Sequence, residues 1–354
     1  MPERLSRQPL RVVYFIPTDR QPEPNFHHRL DRVMTNVQQF YHQGMAENGY
    51  SGLGFELDRD SGGALQIYKV QAQHPMVAYD RNAHDAVRRE VKAALADQGI
   101  NIDQETIIIF QLLLQWRGKT AQEIGPFVGC GTPHYGTAWV YDDARLDPQN
   151  LASCEAGGYY AKPCSVGEFN SHYLGGVAHE LGHAFGLPHD CECDHDQQHR
   201  GYSLMSRGNH TYGQEQRGEG LGTFLSAASA LPLSVHPLFT GLDKPTASFA
   251  CQVLDFDTHH ADGDLILTGK IQTEQPVVGV VAHNDPKAIP DDYNAQGWIA
   301  QVDSQGQFQL RIGDLRPGDY ELRLTVYAQQ GESQGFILNY AAQMQGGTCQ
   351  AVFC

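Results

Sequence analysis

Residues 179–191 read His-Glu-Leu-Gly-His-Ala-Phe-Gly-Leu-Pro-His-Asp-Cys. Each fixed position there constrains the backbone separately. His179 and His183 are four residues apart, so on a helix they share a face and their imidazoles can reach one point. Gly186 supplies the positive φ that ends a helix abruptly, and Pro188 prevents it from resuming. The turned chain then brings His189 back toward the first two. Three histidines converging in this way suit one zinc ion with its fourth position open. Glu180, next to the first of them, is placed to take a proton from water at that position.

A bare His-Glu-x-x-His pair occurs by chance on ordinary amphipathic helices. Gly186 and His189 at their offsets make the pattern far more restrictive. A second signal follows at residues 201–208, Gly-Tyr-Ser-Leu-Met-Ser-Arg-Gly, a methionine among small and turn-forming residues. Over His179, Glu180, His183, Gly186, His189 and Met205 the chain resembles the metzincin clan of zinc metallopeptidases. Asp190, followed by Cys191 and Cys193, is similar to the adamalysin and reprolysin branch. The resemblance covers only residues 179–205. It implies an α/β zincin-like catalytic domain with a twisted mixed sheet, and Met205 as the floor of the site. It also implies a substrate-facing role for residues 206–225. Some members carry a tyrosine ligand two residues after the methionine. Arg207 stands there, so no such ligand is expected, and Tyr212 has the wrong spacing. Asp190 is expected to fix the loop after the last ligand. His172 reads as a packed neighbour of the site, and His134 and His210 as lone histidines.

The chain has 354 residues, enough for two domains, with 41% hydrophobic content and a formal net charge of −16. That charge disfavours nucleic acid and anionic membrane surfaces as partners. No run of eighteen apolar residues exists, so no membrane span is expected. A protein or peptide substrate is the expected partner, and the sequence leaves the oligomeric state open. Eight cysteines, an even count, point to a disulfide framework and hence to a secreted, periplasmic or cell-surface protein. The start, Met1-Pro2-Glu3-Arg4, lacks an apolar signal segment, which keeps the cytoplasm as the alternative. A second metal site from Cys191, Cys193 and His195 is a weaker reading, because Cys-x-Cys is not the usual structural zinc spacing.

Apolar periodicity predicts strands at residues 10–16, 53–57, 64–70, 106–113 and 136–141. It predicts helices at residues 24–48 and 80–98. Ser165 and Glu168 have capping-box form, so the helix carrying the histidines is expected to start there. Another helix is expected over residues 221–230. Gly136, Thr137, Ala138, Trp139 and Val140 form the candidate edge strand along which an extended substrate would pair, with an ordinary core strand as the alternative. The character changes near residue 240. A catalytic domain at 1–242 is expected, then a linker around residues 244–246. An all-β sandwich at 243–354, immunoglobulin- or fibronectin-like, follows, with strands at 265–268, 276–282, 297–302, 307–312, 320–327 and 335–340. Asp255, Asp257, Asp262 and Asp264 are candidates for calcium, but they lack the EF-hand spacing and read better as solvated turns.

The pattern therefore predicts an endopeptidase in which His179, His183 and His189 hold one zinc ion and Glu180 is the general base. Two alternatives stay open: a catalytically dead binding or adhesion protein on the same scaffold, and a zinc hydrolase of a non-peptide bond. The presence of Glu180 argues against the first.

Overall fold

The computed structural model describes residues 8–160, 162–244, 248–345 and 348–353. The part of the chain before Thr240 is built on a five-stranded sheet. Its strands are β1 (Arg11–Ile16), β2 (Ile67–Gln71), β3 (Thr106–Gln111), β4 (Val128–Gly131) and β5 (Gly136–Tyr141), in the order β2-β1-β3-β5-β4. All pairings are parallel except β4 with β5. β3 and β5 are buried along their whole length. That is what near-continuous apolar runs dictate when helices cover both faces of a parallel sheet. Alternate residues of β1 show it: Tyr14 stacks on Phe26 at 4.4 Å, while Phe15 meets Tyr79 edge-on at 5.1 Å.

Three helices matter for the site: α1 (Phe26–Glu47), α2 (His84–Ala96) and α3 (Val166–Ala184). Their boundaries fall close to those expected. Ser165 caps α3 by accepting the Glu168 amide at 3.0 Å. α3 is buried almost throughout. It lies against β4 and β5, and Tyr41 of α1 donates to the Ala178 carbonyl at 2.8 Å.

From Phe249 onward a second apolar cluster forms, separate from the first. It lies between two antiparallel sheets built from β6 (Gln252–Ala261), β7 (Asp264–Gln272), β8 (Val277–Pro286), β9 (Gln296–Ala300), β10 (Gln307–Ile312), β11 (Gly318–Ala328), β12 (Ser333–Gln345) and β13 (Thr348–Phe353). Their orders are β6-β7-β10 and β9-β8-β11-β12-β13. The linker expected at residues 244–246 lies largely outside the described residues.

Several expectations need correcting. Residues 53–57 form no strand. Only Leu57 pairs, in a single bridge to Leu10, because Gly52 turns the chain at φ 82° and Gly54 presses against His42. The helix expected at 221–230 begins later, at Ala227–Leu233. Ser226 caps it, and Thr223–Phe224, β-branched and aromatic, instead pair with Tyr202–Ser203. β6 and β13 were not anticipated. β6 carries too many aspartates and histidines to read as a strand. It holds Asp255 and Asp257, with Asp255 at φ 50° where the pairing register slips. Asp264 opens β7, and it and Asp262 pair with Arg311. Cys130, Cys154, Cys191, Cys193, Cys251 and Cys349 are free thiols, so the disulfide framework is not realised among them. They sit on separate elements: Cys130 on β4, Cys251 in the second cluster and Cys349 on β13. No helix of the described residues is long and apolar enough to cross a membrane.

Candidate metal centre

Helix α3 carries His179, Glu180 and His183 on its last turns. Its end follows the physics of the motif. Gly186 sits at φ 86°, its amide donates to the His183 carbonyl at 2.9 Å, and the Leu187 amide reaches back to Gly182 at 3.1 Å. This is a Schellman termination, and it turns the chain so that His189 faces the helix. One ring nitrogen from each of His179, His183 and His189 lies within 4.8 Å of the others. The Nε2 atoms of His183 and His189 are 3.0 Å apart.

The other nitrogen of each ring is anchored. Nδ1 of His179 donates to the Leu204 carbonyl at 2.7 Å, and Nδ1 of His183 to the Leu187 carbonyl at 2.8 Å. Nδ1 of His189 donates to an oxygen of Asp292 at 2.8 Å. Carbonyls and carboxylates only accept, so each Nδ1 holds a hydrogen and each ring turns its Nε2 toward the other two. Burial lowers the His179 pKa to about 3 and the His183 pKa to about 4, so both rings are neutral near pH 7. The Nε2 atoms of His183 and His189, 3.0 Å apart, are turned toward a common point that a cation can occupy. Three imidazole nitrogens are a donor set that zinc accepts.

Met205 is fully buried beneath the ligand helix. A β-carbon at Gly182 would lie 2.5 Å from its sulfur, so only glycine lets the two approach. Leu204, which anchors His179, and Met205, whose carbonyl accepts the Asp190 amide at 3.2 Å, tie this turn to both ends of the motif. Asp190 is buried, and its carboxylate accepts the hydroxyls of Ser203, Ser226 and Ser229 at 2.5, 2.6 and 2.8 Å. The three serines gave no sequence signal.

Glu180 is half-buried, and burial raises its pKa to about 7, opposed by a hydrogen bond from the Gly129 amide. Gly129 belongs to β4, which, with β5, rides directly on the helix backbone. β-carbons at Gly129, Gly131 and Gly136 would lie 1.9, 1.9 and 1.8 Å from the carbonyl oxygens of Glu180, Ala184 and Ala184. β4 is the terminal strand of the sheet. The strand of Gly136, Thr137, Ala138, Trp139 and Val140 is therefore not an edge: β5 lies between β3 and β4, buried along its length. The glycine-rich Val-Gly-Cys-Gly of β4 lacks the apolar alternation that marks strands in sequence.

Two site residues escaped sequence reasoning because they lie about a hundred positions away. Asp292 and Tyr293 come from the short turn before β9. Besides the Asp292 contact, the Tyr293 ring stacks on His189 with centroids 3.7 Å apart. Burial, then the nearby Glu180, raise the Tyr293 hydroxyl pKa. His172, read as a packed neighbour of the site, and His210, read as a lone histidine, meet with Nδ1 atoms 3.2 Å apart. Burial lowers both, His210 to about 4. His134 faces Glu332 at 3.1 Å.

No protein-family model and no curated protein sequence matches this chain. Its fold has solved counterparts. A crystal structure of wild-type OgpA from Akkermansia muciniphila superposes with a TM-score of 0.80 at 22% identity, covering 99% of this chain and 98% of that one. A second crystal form gives 0.81 at 21%, covering 100% and 99%. Catalytically inactive OgpA in complex with an O-glycopeptide substrate, glycodrosocin, gives 0.80 at 21%, covering 100% and 98%. The chain is thus a mixed α/β protein that shares the fold of OgpA along its whole length.

Proposed function

We propose that this protein is a zinc-dependent endopeptidase of metzincin type. Residues 1–242 form its catalytic domain, and residues 243–354 an immunoglobulin- or fibronectin-like β-sandwich. The observation that carries the reading is the convergence of three imidazole nitrogens beside a half-buried carboxylate. An ion held by His179, His183 and His189 would supply Lewis acidity toward a water and a peptide carbonyl. Glu180 takes the proton from the water and returns it to the leaving amine, and a carboxyl titrating near 7 is suited to both steps. The Gly129 amide holds that carboxylate in place. The free edge of β4 pairs with an extended substrate, and the exposed Val128 and Cys130 side chains flank it.

The neighbouring structure holds an O-glycopeptide. We extend that substrate class to this chain: peptides carrying an O-linked sugar. The test uses one peptide in two forms, with and without a single O-linked sugar, with cleavage read by mass spectrometry. Parent protein should cut the glycosylated form, and a chelator should stop it. Glu180→Gln should keep its zinc by metal analysis and lose roughly 10²- to 10⁴-fold in rate. Equal cutting of both peptides would remove the glycan preference. No cutting of either, or full activity in Glu180→Gln, would remove the peptidase assignment or the base assignment respectively.

A further inference from the structure

The three ring nitrogens of the metal centre are not anchored alike. His179 and His183 donate to main-chain carbonyls close by in the fold, Leu204 and Leu187. His189 donates to a carboxylate in the β region, Asp292. Several contacts shape the turn that carries it. Asp291 accepts the Tyr293 amide at 3.3 Å and the Asn294 side chain at 3.1 Å, shaping the turn. Just beyond it, the Cys191 amide donates to the Ala295 carbonyl at 2.7 Å, and the Gly297 amide to the Cys191 carbonyl at 3.3 Å. The loop after the third histidine is thus stitched to the start of β9, with Asp292 aimed at the ring edge and Tyr293 laid on the ring face.

We propose that Asp292 is a positioning residue of the metal centre, acting through His189, so that the β region completes the third ligand. A carboxylate on Nδ1 fixes the tautomer and orientation of the ring and raises the basicity of Nε2, which strengthens its hold on a metal. A carbonyl fixes the tautomer as well but carries no full charge. The β region therefore does more than stabilise or present substrate: without this turn, His189 keeps its place in sequence and loses its orienting partner.

The inference rests on the zinc-site reading, and the experiment separates the two. Zinc affinity of the full-length protein is measured by competition with a chromophoric chelator, for the parent, His183→Ala, Asp292→Ala and Asp292→Asn. Thermal unfolding of the metal-free forms is followed alongside. Parent should bind one zinc, and His183→Ala should lose it. If both bind alike, or neither binds, the zinc-site reading itself fails. Given that control, Asp292→Ala should bind zinc about 10- to 100-fold more weakly, with metal-free unfolding close to parental. Asp292→Asn keeps an acceptor for Nδ1 without the charge, and should weaken binding by a smaller factor. Parental affinity in both variants overturns the proposal. Should Asp292→Ala fail to fold, parental affinity in Asp292→Asn alone overturns it.

Discussion

The end of helix α3 and the turn before β9 hold the same candidate metal centre by different means. The helix fixes His179 and His183 through its own periodicity and two carbonyls within 25 residues of them. The β region reaches His189 through a side chain 103 residues further along the chain. Local geometry makes the first pair robust and readable. The third histidine depends on two apolar clusters docking correctly. The lesson is that a motif can specify which atoms bind without specifying what keeps them in place.

Asp190 sits at the junction of the two arrangements, so its removal should break the comparison most sharply. Asp190→Ala leaves three buried hydroxyls without their acceptor and should cost about 3 kcal/mol or more in urea unfolding. If stability fell by less than about 1 kcal/mol, the loop would be held mainly by its backbone stitching to β9.

Acidification probes burial away from the three-histidine cluster. Burial lowers the fully enclosed His236 to about 3, well below its unfolded value near 6.5. The unfolded chain therefore binds more protons below pH 6.5, so stability is full above that pH and falls as pH drops toward the folded value. Between pH 6.5 and 5 this one group should remove up to about 2 kcal/mol. His236→Asn keeps an acceptor for the Leu238 amide, which His236 Nδ1 now caps at 3.2 Å, and deletes the proton site. Unfolding at the two pH values should show a shallower slope in that variant. An unchanged slope would move the acid sensitivity elsewhere.

The smallest effect tests the local side. Gly186→Ala forces a side chain into φ 86° and should cost about 1 kcal/mol in thermal unfolding, and weaken zinc binding through both His183 and His189. Stability at or above the parental level would show that the helix end tolerates another turn.

What could be read in sequence follows the same division. His179, Glu180, His183 and Gly186 declare themselves because a helix and its termination impose fixed spacings. Strands β3 and β5 declare themselves through continuous apolar runs. Strand order does not, since pairing partners are set by topology: β5 reads equally as an edge or as a core strand, and it is a core strand with β4 at the edge. The polar β6 gave no apolar signal, because much of it is exposed. Asp292 and Tyr293 belong to a turn whose residues are ordinary anywhere else; only the fold brings them to His189.

The glycines of β4 have one more consequence. With Gly129 and Gly131 pressed onto helix carbonyls, no residue with a side chain fits at either position, while Val128 and Cys130 point away from the helix and are exposed. Natural variation in this strand is thus channelled into two positions. On the proposed function, changes at Val128 and Cys130 would alter the free edge of β4 and leave untouched the Gly129 amide that holds the proposed base one residue away.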